Sequence, residues 1–259
     1  MGAAPGTGCW DIHPQRNAPG VFITFEGGDG AGKSTHIRFL AQVLETAGLE
    51  VVRVREPGGT SIGEQLRAIV LDPANPEMTP ETELLIYEAA RAQITSEVII
   101  PALKRGAVVL CDRFADSTLA YQGRGRGLSE EFIRQANGFA TQGLMPDRTI
   151  VLRCADVQEK RGRVSARDEM DRLERAGNGF HERVNQAFDE LAQSQDGRVR
   201  PVETTGAHSD TARAIFAHLD DLFPWLADGT FPVEEQLACL DASHRKSHRG
   251  TDLPAGEDA

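Results

Sequence analysis

The 259-residue chain lacks any run approaching the roughly 18 to 20 consecutive apolar residues that a membrane-spanning helix requires. Its first twenty residues also lack the basic start and apolar middle of a secretory signal. Both absences point to a soluble, cytoplasmic protein with no membrane partner. Cysteine is scarce: Cys9, Cys111, Cys154 and Cys239 lie far apart without paired metal-ligand spacing, which argues against a disulfide framework or a zinc site and for reduced thiols. An excess of basic residues is missing as well. A formal charge of -11 argues against broad binding to a nucleic-acid backbone, so any phosphate ligand must be met by local cations. No internal repeat with a period of about 20 to 50 residues is present.

What is there is 40% apolar residues, enough for a substantial buried core in one domain with tails. Residues 1–19, with their Gly, Pro and Ala, read as a flexible leader. Residues 227–259 carry seven acidic side chains against three Lys and Arg with little apolar periodicity, and read as a mostly disordered acidic tail. Between the tails, five short β-branched runs alternate with helical periodicity: VFITF from 21, LEVVRVR from 49, AVVLC from 107, RTIVLRC from 148 and RVRPVE from 198. The helical stretches are Lys33–Ala47, Thr82–Leu103, Glu130–Thr141, Val184–Gln195 and Asp210–Leu226. Strict alternation predicts an α/β fold, a parallel sheet covered by helices on both faces, with ligands at the carboxyl ends of the strands.

The first strand runs into FEGGDGAGKST. Gly27, four residues, then Gly32, Lys33 and Ser34 match GxxxxGK[ST], a phosphate-binding loop, and the motif sits between a strand and a helix as it must. Backbone N–H groups of Gly27, Gly28, Asp29, Gly30, Ala31 and Gly32, with Lys33, Ser34 and Thr35, are placed to form a nest for the phosphates of a nucleotide. The helix N-terminus adds partial positive charge, Lys33 reaches the outer phosphates, and the Ser34 hydroxyl is placed to ligate Mg²⁺. AVVLCDR sets Asp112 at the end of a buried strand, where it can hold a Mg²⁺ water, with Arg113 beside it, either in a surface salt bridge or in the site. The guanine-reading motif NKxD is absent, which lowers a GTPase reading; a P-loop alone leaves kinase, switch and mechanical ATPase open.

Together with REPGGT at 55–60 and DRFADSTLAYQGRGRG at 112–127, the chain resembles the bacterial thymidylate kinases over residues 20–226. The resemblance implies a three-layer P-loop NTPase fold, a five-stranded parallel sheet flanked by helices with a helical lid at about 155–178. It implies transfer of the ATP γ-phosphoryl group to dTMP with Mg²⁺, usually by a homodimer. By the same resemblance Tyr87 stacks on thymine, where family members more often have Phe, and Arg91, four residues on, hydrogen-bonds the base. An aromatic on a helix is otherwise more often core. Thr118 and Gln122 match pyrimidine contacts, and Tyr121 lies near the deoxyribose. Arg113 and Arg67 would grip the acceptor phosphate. Asp29 matches an acid that orients the acceptor sugar and metal shell, and Glu56 one that faces the acceptor phosphate and Mg²⁺.

The basic stretch KRGRVSARDEMDRLER at 160–175 is the candidate lid, since phosphoryl transfer needs water excluded and migrating charge stabilised. The phosphate loop holds no arginine, which by family resemblance makes Arg161, Arg163, Arg167 and Arg172 the candidates, with Arg167 and Arg172 foremost. A solvated helix of mixed sign is the alternative for each. One departure stands out: LRCADV places Arg153 where family members end strand four with an Asp. This implies a lid approach rebuilt around Asp156 or a different hinge geometry.

Overall fold

A computed structural model describes residues 19–153, 170–194, 196–204, 206–226, 232–238 and 240. Five strands form one parallel sheet in the order β2-β3-β1-β4-β5: β1 Val21–Glu26, β2 Val51–Arg55, β3 Val108–Asp112, β4 Arg148–Arg153 and β5 Val199–Glu203. Each lies within one of the five β-branched runs, give or take a residue at the ends. The chain winds from β1 outward to β2, then crosses to β4 on the other side. The carboxyl end of β1 is therefore where the winding reverses, the place where such sheets leave a crevice.

The strands are apolar on both sides because helices cover both faces. Ile23 and Phe25 of β1 face one cluster with Leu110, Ile150 and Leu152, against α1 (Lys33–Thr46) and α8 (His208–Ala217). Phe22 faces the opposite cluster with Val109, Cys111 and Phe114, backed by α3 (Pro80–Ile94) and α4 (Ile100–Lys104). Burying each such side chain contributes about 1.5–3 kcal/mol.

Several helical bounds differ from the periodicity. The stretch Thr82–Leu103 is α3 and α4 joined by a π-turn at Thr95–Ile99. Helix α6 is Glu130–Ala140, α7 is Asn178–Ala192, and the last predicted helix stops at Ala217, with a 3₁₀ turn at Pro224–Leu226. Two helical segments within residues 20–226 were not expected. Helix α2 spans Ser61–Leu71 and is capped by the Thr60 hydroxyl, which accepts from the Gly63 N–H; a Cβ at Gly63 would press on the Gly58 carbonyl, so only glycine packs there. The second is α5 (Ala115–Thr118), which continues as a π-helix over Leu119–Gly125. No helix among the described residues is long and apolar enough to cross a membrane.

The expected tail at 227–259 needs correction. Residues 233–238 are helical, and Leu237 and Leu240 are buried in the same cluster as α1 and α8, with Val233 against it. Arg213 of α8 pairs with Glu234 through both carboxylate oxygens. The physical reason is readable: Val233, Leu237 and Leu240 recur at i, i+4 and i+7, one helical face. The leader, apart from Pro19, lies outside the described residues, as do Cys9, Cys154 and Cys239; Cys111 is a buried free thiol. We predict that Leu237→Ala lowers stability by about 2–4 kcal/mol, read from urea unfolding. A change under about 0.5 kcal/mol would mean that the segment merely rests on the surface.

Candidate active site

The loop after β1 is shaped by glycines that no other residue replaces. Gly27, Gly30 and Gly32 have φ of 125°, 76° and 89°, in the region closed to most side chains, and a Cβ at Gly27 would collide with the carbonyl oxygen of Leu152. This loop delivers the chain into α1 with Lys33 as the first helical residue. The Lys33 ammonium turns back over the loop and donates to the carbonyls of Gly27 and Gly28, both at 3.0 Å. Burial pushes its pKa down to about 8, helped by Arg113 and opposed by Asp112, Asp29 and Glu26. Beside it the Ser34 hydroxyl donates to Asp112 Oδ2 at 2.8 Å, joining helix to strand end.

Arg113 follows on β3 with a φ of 70°, uncommon for a residue with a side chain and found where a backbone is held to serve a site. Its guanidinium donates to the Gly27 carbonyl at 3.0 Å and to Asp29 Oδ1 at 2.6 Å, and lies 5.0 Å from the centre of the Tyr121 ring. The surface-bridge alternative for Arg113 fails, because the pair is recessed and spans loop to strand. The Tyr121 hydroxyl donates to the other Asp29 oxygen at 3.1 Å. Burial pushes the Asp29 carboxyl up, but Arg113, Lys33 and Tyr121 outweigh it and hold the group well below the usual carboxylate range.

A cleft of about 360 Å³ opens from this loop, and Arg67, Tyr87, Thr118 and Gln122 line it together with the loop residues. Tyr87 is half-buried, one edge against the cluster around Phe180, so it is at once core and pocket wall. Arg67 donates to the Pro57 carbonyl at 2.9 Å; burial first, and then Arg55, lower its pKa.

Arg91 lines the cleft and is also tied into the protein behind it. Its guanidinium is 1% exposed and engaged by protein on every side. It donates to Glu56 Oε2 (2.8 Å), Glu88 Oε1 (2.8 Å), Thr118 Oγ1 (2.7 Å), Asn137 Oδ1 (2.7 Å) and the Phe114 carbonyl (3.1 Å). Arg91 touches the cleft, but as the hub of its wall; a base would have to displace one of these partners to reach its donors. Glu56, expected to face metal and phosphate, lines the cleft and is at the same time the buried counter-ion of Arg91, its carboxyl pushed up to about 7 by burial against the pull of that arginine.

Arg172 stands apart from the cleft in this structure. It is absent from the cleft lining, because its guanidinium donates to the Val70 carbonyl at 2.9 Å and to Glu83 Oε2 at 2.5 Å. Its neighbours Asp171, Leu173 and Glu174 are the ones that face the cleft. Arg161, Arg163, Arg167 and Asp156 lie outside the described residues. Arg153 sits away from the cleft, bridging Asp189 of α7 and Glu203 of β5, both at 2.8 Å.

Sequence reasoning missed four buried residues. Glu83, Glu88 and Asn137 lie in apolar-patterned helices, where only the cost of burying an unpaired polar group signals a partner. Glu26, fully buried beside Gly27, accepts from the Phe114 N–H at 2.8 Å and the Ser117 hydroxyl at 2.5 Å. Burial, with Asp116 nearby, pushes its carboxyl up to about 7.

With this geometry in hand, the chain matches the family model for thymidylate kinase over residues 25–215. A thymidylate kinase of Pelobacter propionicus is 46% identical over 206 residues, spanning 77% of this chain and 94% of its own. One of Pseudomonas fluorescens is 51% identical over 179 residues, spanning 69% and 85%. The crystal structure of thymidylate kinase from Ehrlichia chaffeensis superposes with a TM-score of 0.61 at 31% identity, covering 78% of this chain and 97% of that one.

The depressed Lys33 pKa has a consequence for polyphosphate affinity. Anionic phosphates favour the ammonium form, so binding is full below pH 8 and falls as pH rises through that value. We predict that ATP affinity drops roughly tenfold between pH 7.5 and 9, one unit past the pKa. Calorimetric titration checks this, with Lys33→Ala weak at both pH values; equal affinity at both in the wild type would mean that Lys33 keeps its proton.

Proposed function

The chain belongs to the thymidylate kinase family and so transfers the γ-phosphoryl group of ATP to dTMP, giving dTDP and ADP; we propose that the cleft between the phosphate loop and Tyr87 is where the two nucleotides meet. The observation that carries this is the position of Arg113, held by Asp29 and Gly27 of the loop and lining one cleft with Lys33, Tyr87 and Gln122. A cation at that junction lies between donor and acceptor phosphates.

Donor phosphates would take the inward N–H groups of residues 27–32 and draw the Lys33 ammonium off the two glycine carbonyls that now occupy it. Arg113, with Arg67 across the cleft, would hold the acceptor phosphate by fork-shaped pairing, and Tyr87 would give the base a flat apolar surface. Tyr121, anchored on Asp29, would set the depth of the sugar. Phosphoryl transfer asks little covalent chemistry of a protein; alignment and charge neutralisation are the main contributions, and these groups supply both. The basic stretch at about 155–178 is part of this reading as a lid whose arginines, Arg161, Arg163, Arg167 and Arg172, would close over the transferring group.

The residues present fit Mg²⁺. Among the described residues no group of three or more His, Cys, Asp or Glu forms a cage, whereas Ser34 and Asp112 already touch across the loop mouth. One hydroxyl and one carboxylate beside a polyphosphate site is the donor set Mg²⁺ takes in such enzymes, the remainder being phosphate oxygen and water. When bound there, the ion would offset phosphate charge. Glu56 is better assigned as the partner of Arg91 than as a ligand.

A homodimer is part of the same proposal. Helices α2, α3 and α6 present large apolar side chains to solvent: Ile62 and Ile69, Leu85, and Phe132 and Phe139, the last 78% exposed. Both pairs are seven residues apart and so share a helical face. A face of that kind is what an obligate partner covers. A kinase domain over residues 20–226 in the cytoplasm completes the reading.

Acceptor dependence tests the function. ADP formation from ATP should require dTMP, with dUMP and UMP run in parallel; ADP released equally without any acceptor would sink the kinase assignment. Phe139→Asp should shift the particle from dimer to monomer in sedimentation analysis. A dimer of unchanged stability would put the interface on another face.

A further inference from the structure

Glu83 lies on α3 behind the cleft wall and is 1% exposed, yet it carries more donors than its burial alone requires. Its Oε1 accepts from Gln122 Nε2 at 2.8 Å and from Arg126 Nε at 3.1 Å; its Oε2 accepts from Arg126 Nη2 at 2.9 Å and from Arg172 Nη2 at 2.5 Å. Burial pushes the carboxyl up, but the bonds from Arg126, Gln122 and Arg172 outweigh it and keep the pKa below its ordinary value. Glu83 is thus an acceptor only, with no proton to offer.

This restricts Gln122. A terminal amide has two nearly isosteric orientations, and only its partners decide between them. Facing an ionised carboxylate, Gln122 can present only its NH₂ end, so its carbonyl oxygen is the end left for the cleft that it lines. Gln122 is 1% exposed, and burial leaves the amide little room to turn over.

We propose that Glu83 is a positioning residue for base selection: by locking the Gln122 amide it leaves a hydrogen-bond acceptor facing the base. The site then favours a pyrimidine with an N3–H, thymine or uracil, over cytosine, whose N3 carries a lone pair. This rests on the acceptor-site reading above. Acceptor against donor makes a bond; acceptor against acceptor leaves both buried groups unpaired, the situation in which sites built around a hydrogen bond discriminate most strongly. Arg126 and Arg172 enter as the charges that keep Glu83 ionised. Arg126 is itself seated 4.4 Å from the centre of the Phe180 ring.

The test is the affinity of dTMP, dUMP and dCMP for the full chain without ATP, by calorimetry, in wild type and Glu83→Gln. A glutamine at 83 both donates and accepts, so Gln122 is released to either orientation. The dCMP-to-dTMP ratio of Kd values should fall at least tenfold, with dCMP binding more tightly than in wild type, a gain that general loosening does not produce. Parallel weakening of all three ligands would overturn the inference and leave Glu83 a structural residue. Should Glu83→Gln fail to fold, Gln122→Leu removes the amide altogether. The ratio should then collapse towards one, and its survival at the wild-type value would refute the role of the amide. Wild-type protein that binds neither dTMP nor dUMP would overturn the acceptor-site reading itself, and this inference with it.

Discussion

A guanidinium group taken wholly out of water has to be met by acceptors on every edge, and the acceptor half of this molecule is arranged around that demand. Arg91 of α3 collects Glu56 from the end of β2, Glu88 from its own helix, Thr118 and the Phe114 carbonyl from α5, and Asn137 from α6. Two carboxylates against one cation leave the cluster rich in acceptors, and burial raises the pKa of both Glu56 and Glu88. Removing any one partner would strand the others without solvent to replace it, which is why a buried ionic group of this kind fixes geometry more than it adds stability. The cleft wall is stiff because its centre cannot be rearranged one contact at a time.

The phosphate half has a different support. Glu26 at the end of β1 binds the backbone of Phe114 and the hydroxyl of Ser117, so the first strand and the start of α5 are tied directly beneath the loop. Arg198 makes a two-pronged pair with Asp116 and also reaches Thr149, which in turn meets Thr24 of β1 at 2.8 Å. The polar line passes through the sheet under the glycine loop. The two halves meet at Arg113 and Asp29, whose contact spans strand three and the loop.

Much of this was legible in the sequence where the signal is local. The strands follow from β-branched runs, and the phosphate loop from a spacing that only one backbone shape satisfies. Legibility ended where function depends on distant partners. Arg91 is joined to Asn137 across 46 positions, and nothing in ELLIYEAARAQ says that an arginine lining the cleft is also bonded to protein on every edge. Arg172 shows the same limit: a basic composition marks a segment as cationic, but not that one of its arginines would also meet a buried carboxylate on α3. Helix α2 went unseen because Gly63 weakens the periodic pattern. The segment at 233–240 was obscured by its acidic surroundings although its three apolar residues keep helical spacing.

The π-helix at Leu119–Gly125 carries two adjacent residues with separate duties, Tyr121 towards the phosphate loop and Gln122 towards Glu83. In this wide turn, hydrogen bonding skips one residue further than in an α-helix, as when the Arg126 N–H reaches the Tyr121 carbonyl at 2.9 Å. One extra residue is thereby accommodated without breaking the helix, and its presence sets the rotational phase of everything before Gly127. The constraint on this stretch is accordingly one of length as much as of chemistry. Loss of a single residue anywhere within it would let an ordinary α-turn form and swing both side chains out of phase together, so that a deletion here disturbs two functions where a substitution touches one.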